Sequence, residues 1–279
     1  MNRLVKITHW SLEVVQELWE RYVEHDVAQQ GAALAYYLLF SLFPLLILMN
    51  SIIGQLDLNI SGVLETISPI LPDDIVRLIA AYLRYVTEHA SRTLLYFSLI
   101  FSIYFPMRAT NCLIRSVRRA YHLPAAKNRV RAMFKVLFYT ILFLVSISMT
   151  LMLMTLGRKA MRALGAMISL PEGVAELWNI VRFLAVGLIL FAALGTLYAI
   201  AQDRHRRARA ILPGAILSTL SWILLSALYA FYVEYLSNYS IIYGALGTVV
   251  VLLIWLYLTA LTLILGAEFN DTLLHRRHI

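Results

Sequence analysis

Six long apolar runs constrain this chain more than any other feature. Val27 to Leu56 contains no charged residue, and neither do Val136 to Gly157, Phe183 to Gln202, Ala210 to Val233 and Tyr235 to Ala267. Thr93 to Met107 is a sixth, shorter run bounded by Arg92 and Arg108. A bilayer core is crossed by roughly 20 predominantly apolar residues in helical form. Buried helices of soluble proteins are rarely so long and so uniformly uncharged. The sequence therefore predicts an all-α fold, a polytopic membrane protein with six transmembrane helices over 28–53, 93–113, 134–156, 181–202, 211–233 and 243–268. At 279 residues, 61% hydrophobic and 14% charged, the chain suits one membrane domain spanning 1–279. The second span is the weakest. Its uncharged stretch rises only about 22 Å, short of the roughly 30 Å core. Either Arg92 and Arg108 snorkel outward, or the helix continues to Ile114 with Arg108 facing the protein interior.

Basic residues set the expected orientation. Six spans put both termini on one side. Lys and Arg concentrate in the segments that share that side: Arg3, Lys6 and Arg21; then Arg108, Arg115, Arg118, Arg119, Lys127, Arg129, Arg131 and Lys135; then Arg204, Arg206, Arg207 and Arg209; then Arg276 and Arg277. Both termini are expected in the cytoplasm. The same rule accounts for the net charge of +8, which in a soluble protein would suggest nucleic acid. The first run begins after a charged stretch and continues too far for a cleavable signal, so it is expected to remain as the first spanning helix.

Two segments outside the spans have helical periodicity. Residues 1–26 read as a cytoplasmic interfacial arm, with Trp10, Val14, Val15, Leu18, Trp19 and Tyr22 on one face. Residues 54–92 read as a periplasmic helical segment. Pro72-Asp73-Asp74 starts a helix there, and Ile75, Ile79, Tyr82, Leu83 and Val86 form its apolar face. That helix could cap the bundle, lie on the outer leaflet or recruit a periplasmic partner.

Catalytic motifs are missing. The seven histidines are scattered, and no HExxH, Walker loop or serine nucleophile elbow is present. The single cysteine, Cys112, excludes an intrachain disulfide and a multi-cysteine metal site. No catalytic residue, metal site or cofactor is expected, and no specific nucleic-acid partner. Carboxylates are absent from the helix midpoints, where ion-coupled transporters usually place one. Glu268 ends the last span on its inner side. A lone buried carboxylate is costly, so Glu268 is expected in a structural ion pair, with Arg115 after the second span or with backbone donors.

The spans do carry neutral polarity. The first holds Tyr36, Tyr37, Ser41 and Pro44, and the last holds Tyr243, Gly244 and Gly247. Small and hydroxyl residues commonly join transmembrane helices; alternatively, these line a path for a molecule with a polar head. Pro44 removes the backbone bond to residue 40. A bend is expected there, with Ser41 partly satisfying the freed group.

These residues carry a family resemblance. Gly31-Ala-Ala-Leu-Ala-Tyr-Tyr-Leu-Leu-Phe-Ser-Leu-Phe-Pro44 resembles the first-helix signature of the YihY/BrkB family. Tyr243-Gly-Ala-Leu-Gly247, Leu253-Ile-Trp-Leu-Tyr257 and Gly266-Ala-Glu-Phe-Asn270 are similar to its last-helix signature, and Asn111 to Tyr121 to its basic stretch after helix two. The resemblance covers nearly the whole chain. It implies a six-helix bacterial inner-membrane protein, similar to proteobacterial members. The family was once labelled ribonuclease BN, a label at odds with the missing metal ligands. Its members have also been linked to serum resistance and to envelope lipid homeostasis. The expected function is lipid handling: transport of phospholipid or a lipid A-type precursor between leaflets or toward an export partner. Membrane lipids are the expected partners, with headgroups meeting Arg108, Arg115, Arg118 and Arg119; the simpler reading of those arginines is topology signalling. Alternatives are a small-solute or ion transporter, a non-transporting scaffold and, last, an enzyme.

Overall fold

In hydrocarbon a backbone must satisfy its own hydrogen bonds, and an α-helix does so within one segment. Each apolar run takes that solution. A computed structural model describes residues 3–55, 73–88, 92–124, 128–167, 174–202, 211–236 and 239–276, with Leu64 and Ser68 between the first two. Among the described residues there are eight main helices and no strand: α1 (Arg3–Glu24), α2 (Val27–Gln55), α3 (Asp73–Glu88), α4 (Arg92–Ala120), α5 (Arg129–Met167), α6 (Val174–Ala201), α7 (Leu212–Leu236) and α8 (Tyr239–Arg276). Six of them, α2 and α4 to α8, are long and apolar enough to cross a membrane. Large apolar side chains such as Phe134, Leu184, Leu220 and Leu224 point outward from the bundle, as a lipid-facing surface requires.

The second span is not short after all. Helix α4 runs through Pro106 to Ala120, well past Met107, and Arg108 lies on its exposed side rather than in the interior. Helix α2 likewise stays helical through Pro44. Ser41 Oγ donates to the Leu38 carbonyl at 2.6 Å, not to the group Pro44 frees at residue 40.

The helix ends are set locally. Asp26 adopts a left-handed conformation (φ 51°) between α1 and α2, and His122 does the same (φ 50°) after α4. At His122 the amides of His122 and Leu123 return to the carbonyls of Arg119 and Arg118, both at 2.9 Å, the 5→2 and 6→1 bonds of a Schellman cap. Asn128 Oδ1 accepts from Arg131 N at 3.1 Å and caps the start of α5.

Helix α2 packs most extensively on α4, and α8 on α7 and α2. The main core gathers Val27, Leu34, Val117, Tyr139, Leu197, Tyr198, Ala260 and Ile264. A second cluster joins Ile75 of α3 to Ala35 and Leu39 of α2 and Leu252 and Leu256 of α8. Of the expected apolar face of α3, Ile75 and Leu83 are buried, and Ile79 and Tyr82 are half-buried; the Val86 side chain lies outside the described residues. That helix caps the bundle. Helix α1 presents part of its apolar face to the bundle and part outward. Val14 is buried and Leu18 half-buried, while Val15 and Trp19 are exposed; the Trp10 side chain lies outside the described residues.

Candidate functional site

Two sites emerge from the packing. The first is an aromatic face shared by α2 and α4. Tyr36 contacts Tyr37 (ring centroids 5.5 Å) and Phe40 (4.5 Å), and Phe40 reaches across to Phe105 of α4 at 5.6 Å. Along α4 the chain of rings continues through Phe101 to Phe97 (5.5 and 4.2 Å) and to Tyr104, 5.4 Å from Phe105. Tyr36, Phe40, Phe97 and Tyr104 are all exposed. Arg108 stands over the Tyr104 ring at 5.4 Å and donates through Nε to the Tyr104 hydroxyl at 3.0 Å. Residues 104, 108 and 115 share one face of a helix by spacing, and Arg115 is exposed on it.

The second site is a charged cluster at the basic end of the bundle, where α1 lies against α8 and α2. On α1, Val14, Leu18, Arg21 and His25 recur at i, i+4, i+7 and i+11, so the face that buries Val14 also carries Arg21 and His25 inward. On α8, Glu268, Asp271 and His275 follow at i, i+3 and i+7. Glu268 and Asp271 are each 1% exposed. His25 Nδ1 lies 2.7 Å from Glu268 Oε1. Arg21 Nη1 donates to Asp271 Oδ2 at 2.9 Å and lies 3.7 Å from Glu268 Oε2. Burial works against the Arg21 cation, but the Asp271 hydrogen bond and the charges of Asp271, Glu17 and Glu268 outweigh it and hold the guanidinium above the ordinary arginine value. Arg21 therefore stays charged. Glu268 thus meets His25 and Arg21. The arm α1 lies against α8 and brings its own Arg21 and His25, while Arg115 points away from the bundle.

The four arginines after the second span divide by role. Arg118 is buried and donates to the carbonyls of Ala201 (3.0 Å) and Pro124 (2.6 Å), tying α4 to α6. Arg119 donates to the His25 carbonyl at 3.1 Å and lies 3.9 Å from Asp26, holding the α1–α2 turn. Arg108 and Arg115 are left facing outward. Gly247 is buried, and the side-chain surroundings of Tyr243 and Gly244 lie outside the described residues. The glycine that α8 meets on α2 is Gly31, where an added Cβ would lie 2.9 Å from Leu261 Cδ2. Among the described residues no group of three His, Cys, Asp or Glu side chains could hold a metal ion.

Sequence reasoning missed Arg21, His25, Asp271, His122 and His275. For Arg21, His25, Asp271 and His275 the signal was present in the helical spacing, where charged residues continue an apolar face; His122 lies in the turn after α4 and had none. Nothing in the spacing said which helix that face would meet.

A family profile described as Virulence factor BrkB matches residues 18–278. The chain is 31% identical over 266 residues to the putative ribonuclease-like protein YfkH of Bacillus subtilis, covering 95% of this chain and 96% of the relative. It is 25% identical over 294 residues to a UPF0761 membrane protein of Vibrio campbellii, covering 99% of this chain and 87% of that one. A UPF0761 membrane protein of Chromohalobacter salexigens is 24% identical over 275 residues, covering 95% of this chain and 64% of the relative. No solved structure matches the chain.

Proposed function

The chain belongs to the BrkB family of membrane proteins, and from that premise we propose that it handles phosphate-bearing envelope lipids in the bacterial inner membrane, moving them between leaflets or toward an export partner. The observation that carries this reading is Arg108. It is exposed on the outward side of α4, within the candidate span Tyr96–Ala120 and directly after the uncharged run that ends at Met107. A cation at such a position is rare and marks a substrate path or a partner of opposite charge. Its surroundings suit a lipid. Exposed rings of α2 and α4 offer acyl chains an apolar wall, Tyr104 holds the guanidinium in place, and Arg115 continues the positive charge toward the basic end. A guanidinium binds phosphate oxygens in pairs, which an ammonium group cannot do.

The chain reconstituted in vesicles of phosphatidylethanolamine and phosphatidylglycerol should speed transbilayer exchange of a fluorescent phosphatidylglycerol. Arg108→Gln should slow it several-fold, with Arg115→Gln adding to the loss. Vesicles with folded wild-type protein that exchange lipid no faster than empty ones would end the proposal.

A further inference from the structure

We propose that the basic end of the bundle holds a proton-binding site, formed by His25, Glu268 and Asp271, whose loading fixes α1 against α8. It lies away from the aromatic face and does not depend on the lipid reading.

The argument begins with charge balance. Two carboxylates, Glu268 and Asp271, are buried at 1% exposure and face one guanidinium, Arg21. Among the described residues the other nearby arginines are directed elsewhere. Arg118 binds the carbonyls of Ala201 and Pro124, and Arg119 binds the His25 carbonyl and faces Asp26. Arg276 pairs with Glu13 at 2.8 Å and Glu17 at 3.0 Å on the outer side of α1, and Glu17 also meets Arg21 at 3.2 Å. Among the described residues, Glu268 and Asp271 thus carry one more negative charge than the single guanidinium that faces them both. A buried charge without compensation is strongly disfavoured. A single proton removes it, by converting His25 to the imidazolium against Glu268 Oε1 at 2.7 Å.

Two further observations fit a proton. Glu268 Oε2 and Asp271 Oδ1 are buried and accept no hydrogen bond from the described residues, so the cluster has acceptor capacity that its own side chains do not fill. A histidine route also leads outward. The ring of buried His25 lies 5.1 Å from that of His122, and His122 lies 6.0 Å from His275. His275 Nδ1 is 3.0 Å and His122 Nε2 3.8 Å from Asp271 Oδ2. Both outer side chains are more than half exposed, at 51% for His122 and 59% for His275, whereas that of His25 is 8% exposed. The two outer histidines thus stand between solvent and the buried pair.

The consequence is mechanical. Helix α1 is joined to α8 through these charges and to α2 through the left-handed turn at Asp26. With the proton bound the cluster is neutral and α1 stays docked. Without it the surplus charge favours water entry, and α1 loosens about that turn. The docked state holds one more proton than the loosened one, so docking is lost as pH rises, by up to about tenfold in the opening equilibrium per pH unit.

Hydrogen–deuterium exchange of the full chain in lipid nanodiscs tests this, with rates corrected for the intrinsic pH effect on exchange. Protection of the α1 amides should fall as pH rises from about 5 to 8, the range in which histidine ordinarily changes charge. In Glu268→Gln one carboxylate faces one guanidinium, so α1 should stay protected across that range. Asp271→Asn reaches the same charge and serves if the first variant does not fold. Wild-type protection that ignores pH would overturn the proposal, as would a wild-type pH profile persisting in the folded variant. Protection that follows sodium concentration at fixed pH would also overturn it, in favour of a metal cation.

Discussion

Gly266→Ala probes the contact on which the α7–α8 pairing depends. At Gly266 an added Cβ would lie 1.8 Å from Ser218 Oγ, 2.6 Å from the Tyr198 hydroxyl and 2.8 Å from the Gly214 carbonyl oxygen. The first two atoms belong to a buried network. The Tyr198 hydroxyl donates to the Leu263 carbonyl at 2.7 Å and lies 2.9 Å from Ser218 Oγ, which donates to the Thr262 carbonyl at 3.0 Å. The third is backbone, and it yields only if α7 moves away from α8. Overpacking of this kind costs about 1–3 kcal/mol, and losing two interhelical hydrogen bonds adds about 0.6 kcal/mol each. The better helix propensity of alanine returns about 0.8 kcal/mol. The expected net loss is about 2 kcal/mol, roughly 30-fold in the unfolding equilibrium. Gly195 of α6 is the control. An added Cβ there meets nothing within 4 Å, so Gly195→Ala should be neutral or mildly stabilising. Reversible unfolding in mixed micelles, followed by circular dichroism, measures both. Ser218→Ala combined with Gly266→Ala should recover part of the loss, since it removes the closest atom. If Gly266→Ala proves as stable as Gly195→Ala, the close approach of these two helices is wrong.

Three further outcomes are expected. Arg21→Gln removes the guanidinium that faces both Glu268 and Asp271; breaking a buried pair in this way should cost about 3 kcal/mol and lower the thermal midpoint in detergent, and a change within about 0.5 kcal/mol, the range of a surface substitution, would contradict the buried geometry. In a Cys112→Ser background, a cysteine at Arg131 should be protected from an impermeant external reagent in spheroplasts while one at Tyr85 labels; the reverse pattern would invert the orientation. Purified chain should leave RNA intact in the presence of divalent metal, and cleavage that disappears with a point change in this chain would show that it is a nuclease.

The apolar runs alone determined the helical class and the six spans, because the bilayer leaves a backbone so few solutions. The resemblance seen in Gly31–Pro44 and Tyr243–Asn270 carried the family, which the profile match over residues 18–278 then established. Partners across the bundle were not legible. Helical spacing showed that Arg21 and His25 continue the apolar face of α1, but not that α8 would cover it; that depended on the left-handed turn at Asp26 and on the path of α8 out to Arg276. The same limit applied to the four arginines of α4. Their common charge suggested one task, yet rotation about the helix axis sent Arg118 into the interior, Arg119 onto the α1–α2 turn, and Arg108 and Arg115 outward. A side chain's type and its place along a helix are local properties that sequence records. What it touches is set by which helices come together, and that is decided by the sum of all their contacts.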